Sequence, residues 1–513
     1  MKINLYLFLS TVLFFGCTPE TNEGSKSSDK PNIVFLFADD FSYNAVHAMG
    51  NQVIHTPNLD RLVRTGTSFT HAYNMGGWHG AICVASRSMI ISGTSIWEAQ
   101  EVETQWRESE GKSVESTWGK LMEDQGYHTY MTGKWHIQAD VDKVFQTTKD
   151  VRPGGMPKDY WTGNPDIGPI IRKTYLEGGN LGDVLPLGYN RPLNEQDTAW
   201  SASDPTHGGY WEGGTHWSEV VKNDALDFIS QATDKENPFF MYLAFNAPHD
   251  PRQAPQEFLD MYPLEDIPLP GNWLPEYSYK DSIGNTPLLR DEALAPFPRT
   301  PHAIKTHIKE YYAIISHLDQ QIGEILDALE ASGQMENTYI FFTGDHGLAV
   351  GRHGLLGKQS LFDHSIRVPL MVTGPDIPED SKIQADVYLQ DIMATSLQLA
   401  GIEKPSQVFF NSFLDLVQGK QQKSYYPAIY GAYMDFQRMI RKDGYKLLVY
   451  PRVNKVLLFN MENDPNEIND LSNNPEYAVR VKSLFADLMA LQEEMQDPLV
   501  LSHMLPGNMG IGK

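Results

Sequence analysis

The sequence predicts an α/β protein with a large, mostly parallel central sheet flanked by helices, and a smaller C-terminal α+β domain that carries an antiparallel sheet. A chain of 513 residues is too long for one ordinary hydrophobic core. Several short runs are continuously apolar, which is typical of strands covered on both faces. Segments of helical periodicity lie between these runs, and such alternation favours a parallel sheet.

Four apolar runs are the clearest predicted strands, and each stops at polar residues or at a turn. They are residues 32–38, 239–245, 338–343 and 369–373. The first three lead into Asp39-Asp40, into residues 246–251 and into Asp345-His346. Because open α/β sheets bind ligands beyond the carboxyl ends of their strands, we expect a functional site where these three clusters meet.

Two segments predict helices. Residues 56–66 contain Pro57 near the start and Gly66 at the end, and residues 304–332 carry apolar side chains every three or four positions. Residues 150–215 and 250–302 are rich in Gly and Pro and predict long loops over the site.

The character of the sequence changes near residue 425, where short strands separated by turns precede a helix at about 476–495. We therefore predict a main domain over residues 31–424 and a C-terminal subdomain over residues 425–513.

The N-terminus predicts an export signal. Met1-Lys2 is followed by an apolar stretch over residues 3–16, which is shorter than the roughly 20 residues needed to span a bilayer. Phe14-Phe15-Gly16-Cys17 resembles a bacterial lipobox, so we expect a signal peptide over 1–16, a lipid on Cys17 and a flexible tether over 17–30. This pattern predicts an exported bacterial lipoprotein, anchored in the periplasm or at the cell surface. An ordinary signal peptide with a cysteine at its cleavage site is the alternative.

The charge balance limits the possible ligands. The formal net charge is −24, which argues against nucleic acid because phosphate binding needs a basic face. An anionic substrate would be repelled by such a molecule unless the site itself were locally cationic.

Cys83 begins the most informative motif of the chain, Cys83-Val84-Ala85-Ser86-Arg87. The only other cysteine is Cys17, so Cys83 has no partner in the mature chain. C-x-[PA]-x-R resembles the activation motif of the type I sulfatases of the alkaline phosphatase-like superfamily. The resemblance implies that a formylglycine-generating enzyme oxidises Cys83 to formylglycine. Ala85 stands where the motif most often has Pro, and alanine is a known variant of it.

Four further segments resemble sulfatase motifs in the same chain order. Gly126–His136 resembles the second sulfatase signature and ends in Gly-Lys-Trp-His, and Gly357-Lys358 resembles the last motif. A Pro-His loop at Pro248-His249 and the segment Asp345-His346-Gly347 lie between them. Each segment alone is equally typical of a solvated loop or a helix cap, but their joint order covers nearly the whole mature chain.

The resemblance implies a role for each matching residue. The catalytic set it implies is Cys83, Arg87, Lys134, His136, His249 and Lys358. The implied ligands of one Ca²⁺ ion are Asp39, Asp40, Cys83, Asp345 and His346, and carboxylate oxygens suit such a hard cation. The formylglycine would act as a hydrated aldehyde, in which one hydroxyl attacks sulfur and the other provides the route for sulfate release.

The N-terminus and the long loops also bear on the substrate. An envelope lipoprotein with long loops rich in Trp and Tyr suits a sulfated carbohydrate, and we predict hydrolysis of O-sulfate groups on a polysaccharide or its oligosaccharides. Four residues near the motifs are candidates to contact a sugar ring or a second sulfate, or else to pack the walls of the site: Trp78, His79, Arg252 and His353.

Three other functions remain open on the sequence alone. One is a phosphodiester or phosphonate monoester hydrolase of the same superfamily, although no clear second set of metal ligands is present. Another is an aryl or choline sulfatase. A third is a glycan-binding lipoprotein that has lost its chemistry, against which the intact motifs argue.

Overall fold

The computed structural model describes residues 30–156, 167–211 and 213–504. The predicted signal peptide, the lipidated Cys17 and all of the tether except its last residue lie outside these ranges. The described chain forms two sheets with helices around them.

The strands are β1 (Asn32–Ala38), β2 (Thr67–Tyr73), β3 (Gly76–Gly77), β4 (His128–Lys134), β5 (Thr147–Arg152), β6 (Phe239–Ala244), β7 (Thr338–Gly344), β8 (Arg367–Thr373), β9 (Ser381–Ile383), β10 (Val387–Tyr388), β11 (Ile429–Tyr433), β12 (Gln437–Lys442), β13 (Tyr445–Tyr450) and β14 (Lys455–Asn460).

The helices are α1 (Pro57–Arg64), α2 (Ile82–Ser92), α3 (Ile96–Glu108), α4 (Trp118–Asp124), α5 (Val141–Val144), α6 (Ile167–Leu176), α7 (Trp217–Thr233), α8 (Gln256–Asp260), α9 (Pro301–Ala331), α10 (Asp363–Ile366), α11 (Asp391–Leu399), α12 (Leu414–Val417) and α13 (Ala478–Glu494).

The larger sheet has the strand order β10-β2-β8-β7-β1-β6-β4-β5, and β9 pairs with β2 beside this path. Strand β1 lies at its centre and pairs in parallel with both β6 and β7. Strand β8 runs antiparallel to both β7 and β2. The mostly parallel sheet predicted from the continuous apolar runs is therefore confirmed, but those runs did not reveal the reversed direction of β8.

The two faces of the central sheet bury separate cores. Alternate residues of β1 point to opposite sides, as in any strand. Val34 and Leu36 pack with residues of α1, α7 and α9, whereas Phe35 packs with residues of α2, α4 and α11 on the other face. This layering explains why β1 is apolar at every position and is fully buried.

The second sheet has the order β14-β13-β12-β11-β3, and its four C-terminal strands are antiparallel neighbours. Helix α13 packs against β12 and β13. The short strand β3 joins this sheet in parallel through Gly76 and Gly77. A Cβ at Gly76 would lie 2.0 Å from the carbonyl oxygen of Ala432, so glycine is required for this approach. The sequence did not predict this pairing, which connects the C-terminal sheet to the segment just before α2.

Within the described ranges, no helix combines the length and apolarity needed to cross a membrane.

Two histidines buried between α7, α8 and α9 predict how stability depends on pH. Burial lowers the pKa of His216 to about 4, and burial together with His216 lowers that of His317 to about 2. Their rings lie 4.3 Å apart. Both are neutral in the folded chain but titrate near 6.5 once unfolded.

We therefore expect stability to be greatest above about pH 6.5 and to fall as the pH drops below it, because the unfolded chain then binds more protons. Each histidine contributes up to about 1.4 kcal/mol per pH unit in that range. Thermal midpoints measured from pH 7 to 5 should fall less steeply for His317→Gln than for the wild type. The exposed His55→Gln is the control and should keep the wild-type slope. An unchanged slope in His317→Gln would contradict this account.

Candidate active site

The carboxyl ends of four neighbouring strands bring the predicted motifs together. Asp39 and Asp40 follow β1, and Asp345 follows β7, its immediate neighbour. Lys134 is the last residue of β4, and the loop that holds His249 follows β6. The backbone N–H of Asp40 donates to Asp345 Oδ1 at 3.1 Å, so the ends of β1 and β7 are joined directly. The site lies where the strand-end clusters predicted it.

Helix α2 carries Cys83 and Arg87 into this edge of the sheet. Cys83 is the second residue of the helix, and the left-handed Gly93 ends it with a backbone hydrogen bond to Met89. Cys83 is buried, and its Sγ lies 3.3 Å from Nδ1 of His136. His136 has a positive φ of 62°, which is uncommon for a residue with a side chain.

Arg87 connects three elements of the site. Its Nε donates to Asp345 Oδ2 at 3.1 Å, and its Nη1 donates to the carbonyl oxygen of Lys134 at 2.8 Å. The guanidinium lies 4.6 Å from the ring centre of Phe37 on β1. A lysine has a single nitrogen and no planar group for stacking, so it could not reproduce these two separately directed hydrogen bonds and the contact with Phe37.

Three buried carboxylates form an oxygen-rich cluster. Ligand atoms of Asp39, Cys83, Asp345 and His346 lie within 4.8 Å of one another. Asp40 adjoins them, with its Oδ1 3.3 Å from Nε2 of His346. Among the described residues, three ligand atoms are buried without a hydrogen-bond partner: Asp39 Oδ1, Asp40 Oδ2 and His346 Nε2.

Cationic side chains balance this cluster. The ammonium of Lys134 bonds to Asp39, and that of Lys358 donates to Asp40 Oδ1 at 2.8 Å. With Arg87, three cationic side chains face three carboxylates, so their formal charges cancel. The site is therefore far less negative than the molecule as a whole, as the sequence required for an anionic substrate.

The pKa shifts report how strongly these charges interact. Burial alone would raise the pKa of the Cys83 thiol, but Lys134, Lys358 and His136 lower it well below its usual value. Burial and the neighbouring Asp39 raise the pKa of Asp345 to about 7. The site thus favours negative charge on the side chain at position 83, which is what an anionic nucleophile needs.

His249 lies beside this cluster in a defined tautomer. Its Nε2 lies 3.0 Å from Nη2 of Arg290, which can only donate, and its Nδ1 lies 2.6 Å from the carbonyl oxygen of Asp250. The proton of His249 is therefore on Nδ1. Burial lowers its pKa to about 4, so the ring is neutral near pH 7.

Two overlapping segments of the chain match models of known protein families. Residues 31–402 match the family model described as "Sulfatase", and residues 351–494 match "N-sulphoglucosamine sulphohydrolase, C-terminal".

The chain belongs to the sulfatase family.

It is accordingly a sulfuric ester hydrolase, as the motifs predicted. The chain is 24% identical over 572 residues to an N-acetylglucosamine-6-O-sulfatase of Bacteroides thetaiotaomicron, with 97% of this chain and 92% of that protein covered.

Two solved structures share its fold. One, described as a complex with its substrate D-glucosamine-2-N,6-O-disulfate, has a TM-score of 0.64 at 20% identity and covers 91% of this chain and 99% of its own. The other, a phosphonate monoester hydrolase of Agrobacterium radiobacter, has a TM-score of 0.66 at 19% identity and covers 91% and 96%. The fold alone is therefore common to both chemistries.

Several residues of the sulfatase site were not found from the sequence. Asn74 Nδ2 and Ser86 Oγ both donate to the backbone carbonyl of Asp345, at 2.8 and 2.7 Å, and so fix the end of β7. Ser86 lies inside the Cys83 motif, which could have identified it. Asn74 follows β2 directly, a strand end that the apolar runs did not include.

Arg290 was also missed. It belongs to the predicted loop of residues 250–302 and contacts His249, Asp250 and Asp291. Gln359 donates to Asp291 Oδ2 at 2.8 Å and to the carbonyl oxygen of Gly80 at 3.0 Å. This chain of contacts links the His249 loop to the segments that carry Lys358 and Cys83, and no local pattern marks Arg290.

The four candidate substrate residues occupy different places. The pKa of His79 is lowered mainly by burial and is also affected by Cys83 and His136, so this ring lies close to the nucleophile. Trp78 is partly buried, with its ring centre 5.9 Å from that of His79, and packs against the C-terminal core. Arg252 lines a separate narrow pocket beside Asp250.

His353 does not face the catalytic residues in this structure. Its ring stacks on Phe362 at 4.0 Å, its Nε2 lies 3.1 Å from the carbonyl oxygen of Glu467, and it lines a cavity of about 300 Å³ against the C-terminal sheet. Four residues around it, at positions 350, 351, 353 and 354, have positive φ, so the chain turns sharply at this point. The expectation that His353 contacts the substrate therefore has no support in this arrangement, and its alternative as a packing residue fits it.

Proposed function

We propose that this sulfatase removes O-sulfate groups from a polysaccharide or its oligosaccharides, using a formylglycine at position 83 and one bound calcium ion. The observation that carries the proposal is the buried Cys83, placed on the oxygen-rich cluster and surrounded by Arg87, Lys134 and Lys358. The carbohydrate assignment is supported by the relative named as an N-acetylglucosamine-6-O-sulfatase and by the fold shared with a structure in complex with a glucosamine disulfate.

The donor atoms fit a divalent metal. Asp39 Oδ1 and Asp40 Oδ2 are buried acceptors without partners in the described chain. His346 donates from Nδ1 to the carbonyl oxygen of Gly347 at 2.9 Å, which is the usual arrangement of a histidine that ligates a metal through its other nitrogen. The predominance of carboxylate oxygen favours a hard cation, and calcium is the one that the family resemblance implies.

We infer that Asp39, Asp40, Asp345 and His346 hold this ion together with the side chain at position 83. When bound, it would supply positive charge that draws in the sulfate and lowers the pKa of the nucleophilic hydroxyl. Because the three carboxylates are already balanced by three cationic side chains, a divalent ion would make the site positive.

The residues of the chain have separable tasks in this proposal. His136 Nδ1, next to the nucleophile, takes and holds a proton, and burial lowers its pKa so that it is neutral and able to do so. Lys134 and Lys358 bind sulfate oxygens as point charges. His249 carries no proton on Nε2 and bonds to Arg290, so Lys358 is the candidate to donate a proton to the leaving oxygen.

Formylglycine at position 83 would supply, in its hydrated form, a hydroxyl nucleophile and a second hydroxyl for sulfate release. The lowered pKa of the Cys83 thiol supports this placement, because the same surroundings would stabilise an ionised hydroxyl.

We propose export as well, because sulfated polysaccharides lie outside cells. Lipidation of Cys17 and anchoring in the periplasm or at the cell surface stay predictions from the sequence.

The modification can be tested by peptide mass. Active protein, made with a formylglycine-generating enzyme present, should yield a residue-83 peptide that has lost two hydrogens and exchanged sulfur for oxygen. Cys83→Ala should abolish turnover, since no nucleophile remains. Full activity in protein whose Cys83 is entirely unmodified would contradict the proposal.

Metal binding can be tested through stability. Calcium in 100-fold excess over its dissociation constant should stabilise the metal-depleted protein by about 2.7 kcal/mol, seen as a rise in thermal midpoint. Asp39→Asn should lose most of that rise because it removes a ligand charge, whereas the exposed Asp266→Asn should keep it. The absence of a rise with either calcium or magnesium would contradict the metal site.

The substrate class can be tested with a panel of defined compounds. Sulfated mono- and oligosaccharides should be hydrolysed with a higher kcat/KM than 4-nitrophenyl sulfate, choline sulfate or a phosphonate monoester. Turnover restricted to the aryl or choline esters would overturn the carbohydrate assignment, and a preference for the phosphonate ester would favour the alternative hydrolase.

A further inference from the structure

Arg252 is the one buried arginine of the described chain that has no carboxylate partner. Six arginines are buried in the described residues. Five of them pair with a carboxylate: Arg87 with Asp345, Arg191 with Glu310, Arg299 with Glu292, Arg438 with Asp497 and Arg441 with Asp386. Arg252 is only 2% exposed, and no carboxylate of the described chain lies within ion-pair distance of it. An unpaired buried charge is costly and therefore calls for an explanation.

The single side-chain hydrogen bond of Arg252 in the described chain goes to a neutral group. Its Nη1 lies 3.0 Å from Nδ1 of His307. The Nε2 of His307 lies 2.9 Å from the carbonyl oxygen of Arg191 and donates to it, so Nδ1 can only accept. Burial and the neighbouring arginines Arg191 and Arg252 lower the pKa of His307 well below its usual value, so this ring stays neutral. His307 therefore orients Arg252 without neutralising it.

Two other donors of Arg252 have no partner in the described chain. Its Nε is buried without an acceptor, and its Nη2 makes no hydrogen bond to any described residue. Trp200 belongs to the same pocket wall, and its indole N–H is also buried without a partner. A pocket wall with surplus donors and surplus positive charge is complementary to an anion.

The other charged or ionisable side chains of the pocket wall each have a partner. Arg191 is paired with Glu310. Asp250 is the one carboxylate of the lining, and it accepts from Arg290 at 3.2 Å. His207 lies 3.8 Å from Asp204. Arg252 is the one charged side chain of this lining that has no ion-pair partner within the described residues. The interior is narrow and has no room for a whole sugar ring, so only a small substituent could reach Arg252.

The pocket adjoins the leaving-group side of the proposed reaction. Asp250 follows His249 directly in the chain, and Nη2 of Arg290 contacts both His249 Nε2 and Asp250 Oδ1. A sugar whose scissile oxygen lies near His249 would therefore extend its neighbouring substituents toward Asp250 and Arg252.

We propose that Arg252 binds a second anionic substituent, a sulfate or a carboxylate, on the sugar that carries the scissile sulfate. This inference rests on the carbohydrate sulfatase function proposed above and narrows its substrates to sugars with at least two anionic groups. Arg252 is then a specificity-determining residue that contacts the substrate away from the reacting atoms.

The test compares matched pairs of sugar sulfates. In one pair the members differ only in a second sulfate beside the scissile one, and in the other a uronic acid carboxylate is compared with its reduced alcohol. The wild-type enzyme should prefer the member with the extra anion in at least one pair by about 10- to 100-fold in kcat/KM, the range expected for a charged hydrogen bond. The pair that shows the preference identifies the anion.

The variant Arg252→Met should bring that ratio close to one, and Arg252→Lys should restore part of it. The exposed Arg64→Gln is the matched control and should keep the wild-type ratio. Arg252→Met loses one hydrogen bond to His307 but no ion pair, so the protein should stay folded with a thermal midpoint close to that of the wild type, which separates loss of recognition from loss of folding.

Two results would overturn the inference. One is equal turnover of both members of both pairs by the wild-type enzyme, a result that needs no variant. The other is a preference that survives in a folded Arg252→Met protein. Turnover of aryl sulfate alone, with no sugar sulfate cleaved, would instead defeat the carbohydrate assignment on which the inference rests.

Discussion

Asp39, Asp40 and Asp345 are buried together at the carboxyl edge of the central sheet, and the rest of the site is arranged around their mutual repulsion. Carboxylates held this close cannot all stay ionised unless cations lie beside them. Lys134, Lys358 and Arg87 supply those cations from β4, from the segment after β7 and from α2. Because each cation belongs to a different part of the chain, these ion pairs also fix those parts relative to one another.

The contacts of Arg87 show how these paired charges also position the elements of the site. It pairs with Asp345 on one side and bonds to the backbone at Lys134 on the other, while Asn74 and Ser86 hold the carbonyl group of Asp345. Helix α2 is thereby fixed to the ends of both β4 and β7. Cys83 lies one helical turn before Arg87, so the position of the nucleophile follows from the same contacts. Rigid placement of this kind is what a catalytic group needs.

The sequence revealed those parts of the site whose signals are local. An apolar run that stops at polar residues identifies both a buried strand and its functional end, so Asp39, Asp40 and Asp345 were found with the sheet. Neither the direction of a strand nor a contact between segments far apart in the sequence produces a local pattern of this kind. The antiparallel β8 is as apolar as its parallel neighbours, and Arg290 reaches His249 from a loop without periodicity. His353 was a candidate because it is close in sequence to Lys358, but sequence distance does not fix where a side chain lies, and its ring stacks on Phe362 beside the C-terminal sheet.

The cationic side chains that have a carboxylate partner differ in role from Arg252. Lys134, Lys358 and Arg87 each have a carboxylate partner, and their charge is needed to keep the cluster folded as well as to bind sulfate. Arg252 has no such partner among the described residues, so the described fold gains nothing from its charge and bears the desolvation penalty. A residue that breaks the pairing rule followed by every other buried arginine of the described chain is more readily explained by a ligand than by packing. In a molecule with a net charge of −24, this local surplus of positive charge gives a polyanionic sugar a place to bind beside the catalytic centre.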